Sequence, residues 1–351
     1  MASHGNNGTV SVVLSFYDYF GIKIMKKHLY WIDWMKVIGM YFIIAGHIFP
    51  MGHEYIYVFS VPLFFVISGY LGHVENDSKL FWQKIYYNLL LPCVIILLIL
   101  HAEQILAQIR IGTFAWINIP THIFNCLIGS LALHTDAGGI GICWFIYTLV
   151  LCKITQQYIC KSRIANGIAI VVCLIAAIFY NYNDSHLRNA YINSTLAYPF
   201  YAMGGGIKCL NIDSVSKKPW VIAIATIVSI VLIFVVGWYN GAPWMFDATY
   251  GKNIFLFFIG GLAGTFSVFS ISYFFRSIKP RPLVELSKGT IIILGFHQLF
   301  IRAYDYLPNQ YHTVIIDYIV ALFILLAFIP IIRLSEQYFP VLLGSRAIKQ
   351  K

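Results

Sequence analysis

The sequence predicts an all-α, polytopic membrane protein of about ten transmembrane helices with both termini in the cytoplasm. Composition is the first reason: 59% of the 351 residues are hydrophobic and 11% charged, with a mean hydropathy of +0.74, whereas a soluble domain carries about 25% charged residues. The second is that apolar stretches of bilayer-spanning length, about 17 to 25 residues, recur along nearly the whole chain and leave no block for a separate soluble domain. The third is the placement of basic residues, which alternates with the stretches.

Residues 1–24 are polar and then only briefly apolar, too short for a span and without the charged flank and small-residue cleavage site of a signal peptide. They read as a disordered or non-native extension, with Met25 an alternative start, so that residues 25–351 form the membrane-embedded domain. Spans are expected near 29–49, 56–74, 86–108, 141–160, 164–181, 193–211, 219–239, 252–275, 286–305 and 313–334. The apolar run 121–133 is too short to cross and reads as a re-entrant or interfacial helix, which needs protein or water to cover its backbone.

With the N-terminus inside, the inner segments hold eighteen of the 24 Lys and Arg residues, and the outer ones only Arg110, Arg188, Lys252 and Arg302. Lys36 and Lys153 fall within spans. The positive-inside rule therefore favours cytoplasmic termini and an even number of crossings. The same rule accounts for the net charge of +10 and removes nucleic acid as the natural partner. Seven Cys, mostly in apolar spans, lack paired ligand spacing and read as small core residues. No metal site is expected, because the histidines lack i,i+4 or carboxylate-paired spacing within a helix.

Ionisable groups inside a span are costly and each is a functional candidate. The first helix holds the densest set. Lys36 and His47 lie eleven residues apart, which returns to nearly the same azimuth about 16 Å further along the axis, so Asp33, Lys36 and His47 share a face. Asp33 and Lys36 could be a local i,i+3 ion pair or functional groups. His47 lies deeper, as a neutral histidine satisfied by a neighbour or as a base whose ordinary pKa near 6.5 suits proton transfer. Further on, Pro62 would kink the second span and Ser68-Gly69 permits close helix approach. Trp144 fits an interface anchor, and His297 is a second intramembrane histidine, structural or catalytic.

The ordered series W-I-D-x-x-K-x10-H from Trp31, V-P-L-F-F-V-I-S-G-Y from Val61, L-L-L-P from Leu89, G-x-x-W-F from Gly141 to Phe145 and G-F-H at Gly295–His297 resembles acyltransferase family 3, the integral-membrane O-acyltransferases. The likeness runs from about residue 29 to 335 and is nearest to the fucose 4-O-acetylase-like bacterial enzymes that acetylate surface polysaccharides. It implies about ten helices, acetyl-CoA as donor from the cytoplasmic side and a carbohydrate acceptor from the outer side. The family's Arg/Lys-x10-His signature falls on Lys36 and His47, and its Ser-Gly-Phe/Tyr motif on Ser68, Gly69 and Tyr70. Two departures stand out: Ser60 occupies a position where many members have His, and the Arg-rich patch before the third span shrinks to Lys84 and Asn88.

These readings assign His47, Lys36 and Asp33 to catalysis or positioning, and Lys84, Arg276, Lys279 and Arg281 to the phosphates of acetyl-CoA. Ser68, Tyr70, Trp144 and His297 go to substrate binding. His47 would act as general base or as an acyl carrier. Outer aromatic and polar residues, Trp116, Tyr180, Trp238, Trp244 and Tyr250 among them, suit sugar stacking and equally suit a membrane interface. The rivals are a transporter or flippase of lipid-linked sugars, which would show internal repeats not seen here, and a non-catalytic membrane scaffold. The expected location is the inner, cytoplasmic membrane.

Overall fold

The computed structural model describes residues 28–48, 50–120, 144–160, 162–182, 190–210, 219–308 and 312–344. Among them every regular element is helical, apart from one isolated antiparallel bridge between Trp244 and Thr249. In chain order the helices are α1 Tyr30–Ile48, α2 His53–Tyr57, α3 Ser60–Leu71, α4 Ser78–Ile85, α5 Leu91–Arg110, α6 Trp144–Ile154, α7 Arg163–Tyr182, α8 Ala190–Lys208, α9 Pro219–Asn240, α10 Ile254–Phe274, α11 Arg281–Lys288, α12 Thr290–Asp305 and α13 Val314–Tyr338. Single π-turns, Tyr86–Leu90 and Thr155–Ile159, join α4 to α5 and extend α6.

A helix lies over each of the ten expected segments. Six of them are long and apolar enough to cross a membrane, or seven if the pair α11–α12, bent by 85°, counts as one span. The others differ for physical reasons. Helix α1 carries Asp33, Lys36 and His47 within nineteen residues, and α8 is diluted by Asn193, Ser194, Thr195, Pro199 and three successive glycines. Helix α6 is described only from Trp144. The 121–133 segment and residues 1–24 lie outside the described residues, as do Cys126 and Cys143.

Helices α1 and α3 form the centre. One core cluster joins α1 to α5, α12 and α13 through Met40, Ile44, Ile96, Ile293 and Phe328; another joins α3 to α6, α8 and α10 through Phe65, Leu149, Tyr201 and Phe257. A third packs Trp31 and Met35 of α1 with Leu63, Ile233 and Val268. The perimeter looks different. Only 6% of the α7 window and 17% of the α9 window are buried, against 61% for α2–α3, and their exposed surface is Ile, Val and Phe. Such a continuous apolar exterior is stable against lipid tails and would be an aggregation surface in water.

The Ser-Gly-Tyr motif at the end of α3 works through its glycine. A Cβ on Gly69 would fall 1.8 Å from the Tyr201 carbonyl oxygen, and one on Gly204 would fall 2.0 Å from that of Val66. The backbones of α3 and α8 touch in both directions, the small-residue crossing typical of membrane helices.

Candidate active site

Helix α3 and the turn after α10 meet α1 and fix the direction of the whole arrangement. Tyr70 near the end of α3 packs edge-on against Trp31, with centroids 5.1 Å apart, so α3 runs antiparallel to α1 and brings Ser60 back to the His47 end. The turn after α10 is tied to the start of α1: the Trp34 indole donates to the Ile278 carbonyl at 3.1 Å, and Lys279 lies 4.7 Å from the Tyr30 ring centroid. Basic candidates and histidines are thereby sorted to opposite ends of α1.

At the start of α1, Asp33 is only 6% exposed. Its Oδ1 accepts from the Ser287 hydroxyl at 2.5 Å and its Oδ2 pairs with His28 Nε2 at 2.5 Å. No salt bridge joins Lys36 to it among the described residues, although the two charges interact at longer range; of the two readings, a close i,i+3 ion pair is not formed, and Asp33 instead ties α1 to α11. Arg276 donates to the Tyr273 carbonyl and stacks on the Tyr273 ring. Arg281 and Arg333 both hold the buried Glu285 carboxylate, at 2.8 and 2.9 Å. Lys84 lies 2.5 Å from Glu75, which also pairs with His73, and Gln157 brackets the Glu75 backbone with two hydrogen bonds. Burial would raise the Glu75 pKa, but Lys84 and His73 outweigh it and hold the carboxyl below its usual range.

The histidines lie at the other end, on the wall of a cavity of about 280 Å³. Its lining comes from α1 (Met40, Ile43, His47), α2 (Tyr57), α3 (Ser60, Val61, Phe64), α6 (Trp144, Phe145), the α9–α10 loop (Pro243 to Phe246) and α12 (Thr290, Leu294, His297, Gln298). The His47 and His297 ring centroids are 5.0 Å apart. Apolar walls with a few convergent polar groups are the usual form of a small-molecule site.

Each polar group is positioned by local structure. The last carbonyls of a helix have no partner within it, and the Tyr57 hydroxyl serves one of them by donating to Gly46 O at 2.8 Å, which fixes the final turn of α1 beside His47. The α11–α12 bend at Gly289, where a Cβ would collide with Ile332 at 2.2 Å, turns α12 so that His297 faces α1. There His297 is fully buried, and its Nδ1 bonds to the carbonyls of Ile293 and Leu294 at 3.0 and 2.9 Å.

The α9–α10 loop is held shut at its base. Asn240, 1% exposed, donates to Tyr250 O at 2.9 Å and accepts from Asn253 N at 2.6 Å, while Asn193 donates to Phe246 O at 3.3 Å. Trp244 and Thr249 exchange two backbone bonds across the loop, of 2.8 and 3.1 Å. This presents Trp244, 37% exposed, against the Tyr57 ring at 5.1 Å.

Of the residues singled out from sequence, His47, Trp144 and His297 line the cavity. Asp33, Lys36, Lys84, Arg276, Lys279, Arg281, Ser68 and Tyr70 do not, and Ser68 and Tyr70 lie toward the opposite end of α3. Trp244, one of the outer aromatics suited to sugar stacking or a membrane interface, lines the cavity as well; Tyr57, Thr290, Gln298 and the rest of its loop, Pro243, Met245 and Phe246, went unread, and Ser60 was noted only as a departure from the family pattern. No group of three or more His, Cys, Asp or Glu suited to a metal occurs among the described residues.

The apolar perimeter and the helical bundle make this a multi-pass membrane protein with an internal two-histidine cavity. Residues 29–334 match the acyltransferase domain family across nearly the whole chain, and the chain belongs to that family of membrane acyltransferases. No curated protein and no solved structure matches it.

Proposed function

We propose that the protein is an O-acetyltransferase of the inner membrane, moving an acetyl group from cytoplasmic acetyl-CoA to a hydroxyl of a cell-surface carbohydrate such as O-antigen, capsule or a related glycan. The observation that carries this reading is the pair of imidazoles facing one cavity in a chain of an acyltransferase family. Acyl transfer from a thioester to an alcohol needs a proton acceptor for the hydroxyl and donors for the tetrahedral oxyanion, and His47 and His297 supply these types of group.

In this reading the chain crosses the membrane ten times with both termini inside, as the skewed distribution of Lys and Arg favours. The start of α1, with Arg276, Lys279 and Arg281 nearby, then faces the cytoplasm, where phosphates of CoA are attracted to guanidinium and ammonium groups. The His47 end faces outward, and Trp244 with Tyr57 offers an aromatic platform for a sugar ring. His47 acts as general base or accepts the acetyl group and passes it outward. The fucose 4-O-acetylase-like enzymes are the nearest functional analogy.

The test is mass spectrometry of the surface glycan from a strain lacking the gene, complemented with wild-type or His47→Ala protein. Loss of one acetyl substituent, restored by wild type and not by the variant, is expected. An unchanged glycan in the deletion strain contradicts the proposal, and a loss of lipid-linked precursor on the outer face would point to a flippase instead.

A further inference from the structure

The histidine on α12 differs from the one on α1 in a way that fixes its chemistry. Carbonyl oxygens only accept hydrogen bonds, so the His297 nitrogen that bonds to both Ile293 O and Leu294 O, Nδ1, must carry a proton. In the neutral ring Nε2 then holds the lone pair. Nε2 is buried and has no hydrogen-bond partner among the described residues, although leaving a buried polar atom unpaired costs about 1–3 kcal/mol. The ring cannot flip to relieve this without losing both backbone bonds. The atom belongs to a cavity-lining residue, with the His47 ring 5.0 Å away on the facing helix.

We propose that His297 is a catalytic residue, the acceptor of the proton released by the attacking hydroxyl, which leaves His47 to handle the acyl group. This rests on the acetyltransferase reading above. The balance is complete: the alcohol oxygen forms its bond to the acyl carbon while its proton passes to His297 Nε2, the carbon–sulfur bond breaks, and the same proton returns to the departing thiolate. Thioester and alcohol become ester and thiol, and the imidazole ends neutral. If the acetyl group is first carried on His47, the carbon–nitrogen bond forms as the carbon–sulfur bond breaks, and the His47 ring N–H proton leaves with the thiolate as thiol. In the second step the carbon–nitrogen bond breaks as the alcohol oxygen bonds to the acyl carbon, and the proton taken up by His297 Nε2 goes to the freed His47 nitrogen. A backbone-locked tautomer suits this role because it presents a lone pair in one direction at the start of every cycle.

His297→Asn separates base from scaffold: its amide nitrogen stands where Nδ1 stands and can donate to the same carbonyls, but nothing replaces Nε2. Purified wild type and variant are compared for acetyl-CoA binding and for transfer to a series of alcohols of decreasing hydroxyl pKa. The variant is expected to bind acetyl-CoA within about threefold of wild type and to lose transfer by about 10²- to 10⁴-fold, the usual worth of a general base. The loss should shrink for the more acidic alcohols, which need less help to lose their proton. A defect equal for all alcohols, or transfer within about threefold of wild type, overturns the assignment. If wild type itself moves no acetyl group from acetyl-CoA to any acceptor, the acetyltransferase reading fails, and this assignment with it.

Discussion

Both ends of α1 withdraw ionisable side chains from water, yet they treat them in opposite ways. At the start, Asp33 is satisfied twice over, by Ser287 and by His28, and the carboxylates around it are equally engaged: Glu285 by two arginines, Glu75 by Lys84 and His73. At the far end, Nε2 of His297 is left without a partner beside a cavity. Buried polar groups that complete their bonds hold helices together, whereas one left incomplete costs stability. Other unpaired atoms occur, such as Ser270 Oγ and Ser272 Oγ, but of these His297 is the one that lines the cavity, where a ligand can complete it. The contrast separates architecture from chemistry between the groups packed at the two ends of one nineteen-residue helix.

The comparison can be broken by moving mutations from one end to the other. The largest effect is expected at the cavity: His47→Ala should lower acetyl transfer by about 10²- to 10⁴-fold while its thermal unfolding midpoint in detergent stays near that of wild type. Asp33→Ala should do the reverse. It leaves the buried Ser287 hydroxyl without its acceptor, at about 1–3 kcal/mol, so a lowered midpoint with the specific activity of the folded fraction largely kept is expected.

Glu75→Gln sharpens the same point through pH. The Glu75 carboxyl is held below its ordinary range by Lys84 and His73 against the opposing effect of burial, so its contribution to stability is present above the unfolded pKa of about 4.3 and disappears as pH falls through the lower folded value. The difference in midpoint between wild type and variant should therefore shrink as pH falls below about 4, through the lowered folded value. A gap that widens in acid would contradict this account of the network. The smallest effect is reserved for Trp244→Ala, expected to raise the acceptor KM by about tenfold, the worth of roughly one aromatic contact, and to leave acetyl-CoA binding unchanged in a direct binding assay.

Much of this was legible in the sequence, and the gaps have physical causes. Long apolar runs and the skew of Lys and Arg announce membrane helices because hydrophobicity and charge are local properties. His47 stood out for the same reason, an ionisable group where lipid-facing chemistry would reject one. What sequence could not reveal was pairing. Lys84 and Arg281 read as available cations, and only the fold shows Glu75 and Glu285 already engaging them, since those pairings depend on helix packing and on the direction of side chains. Ser68 and Tyr70 read as substrate contacts because they match the family's Ser-Gly-Phe/Tyr motif, whereas in the fold the motif's tightest feature is the packing of Gly69 against Tyr201. The α9–α10 loop carries a local signal in Asn240, Gly241, Gly251 and Asn253, which marks a pinned turn, but nothing along the chain says that the turn faces His47.

The most direct measurement is a cryo-electron microscopy structure of the protein with a non-hydrolysable acetyl-CoA analogue. The account predicts the acyl carbon in the cavity, within about 3–3.5 Å of an imidazole nitrogen of His47 or His297, as a near-attack geometry requires. Density that leaves the acyl group among Arg276, Lys279 and Arg281, with the histidine cavity out of its reach, would contradict it.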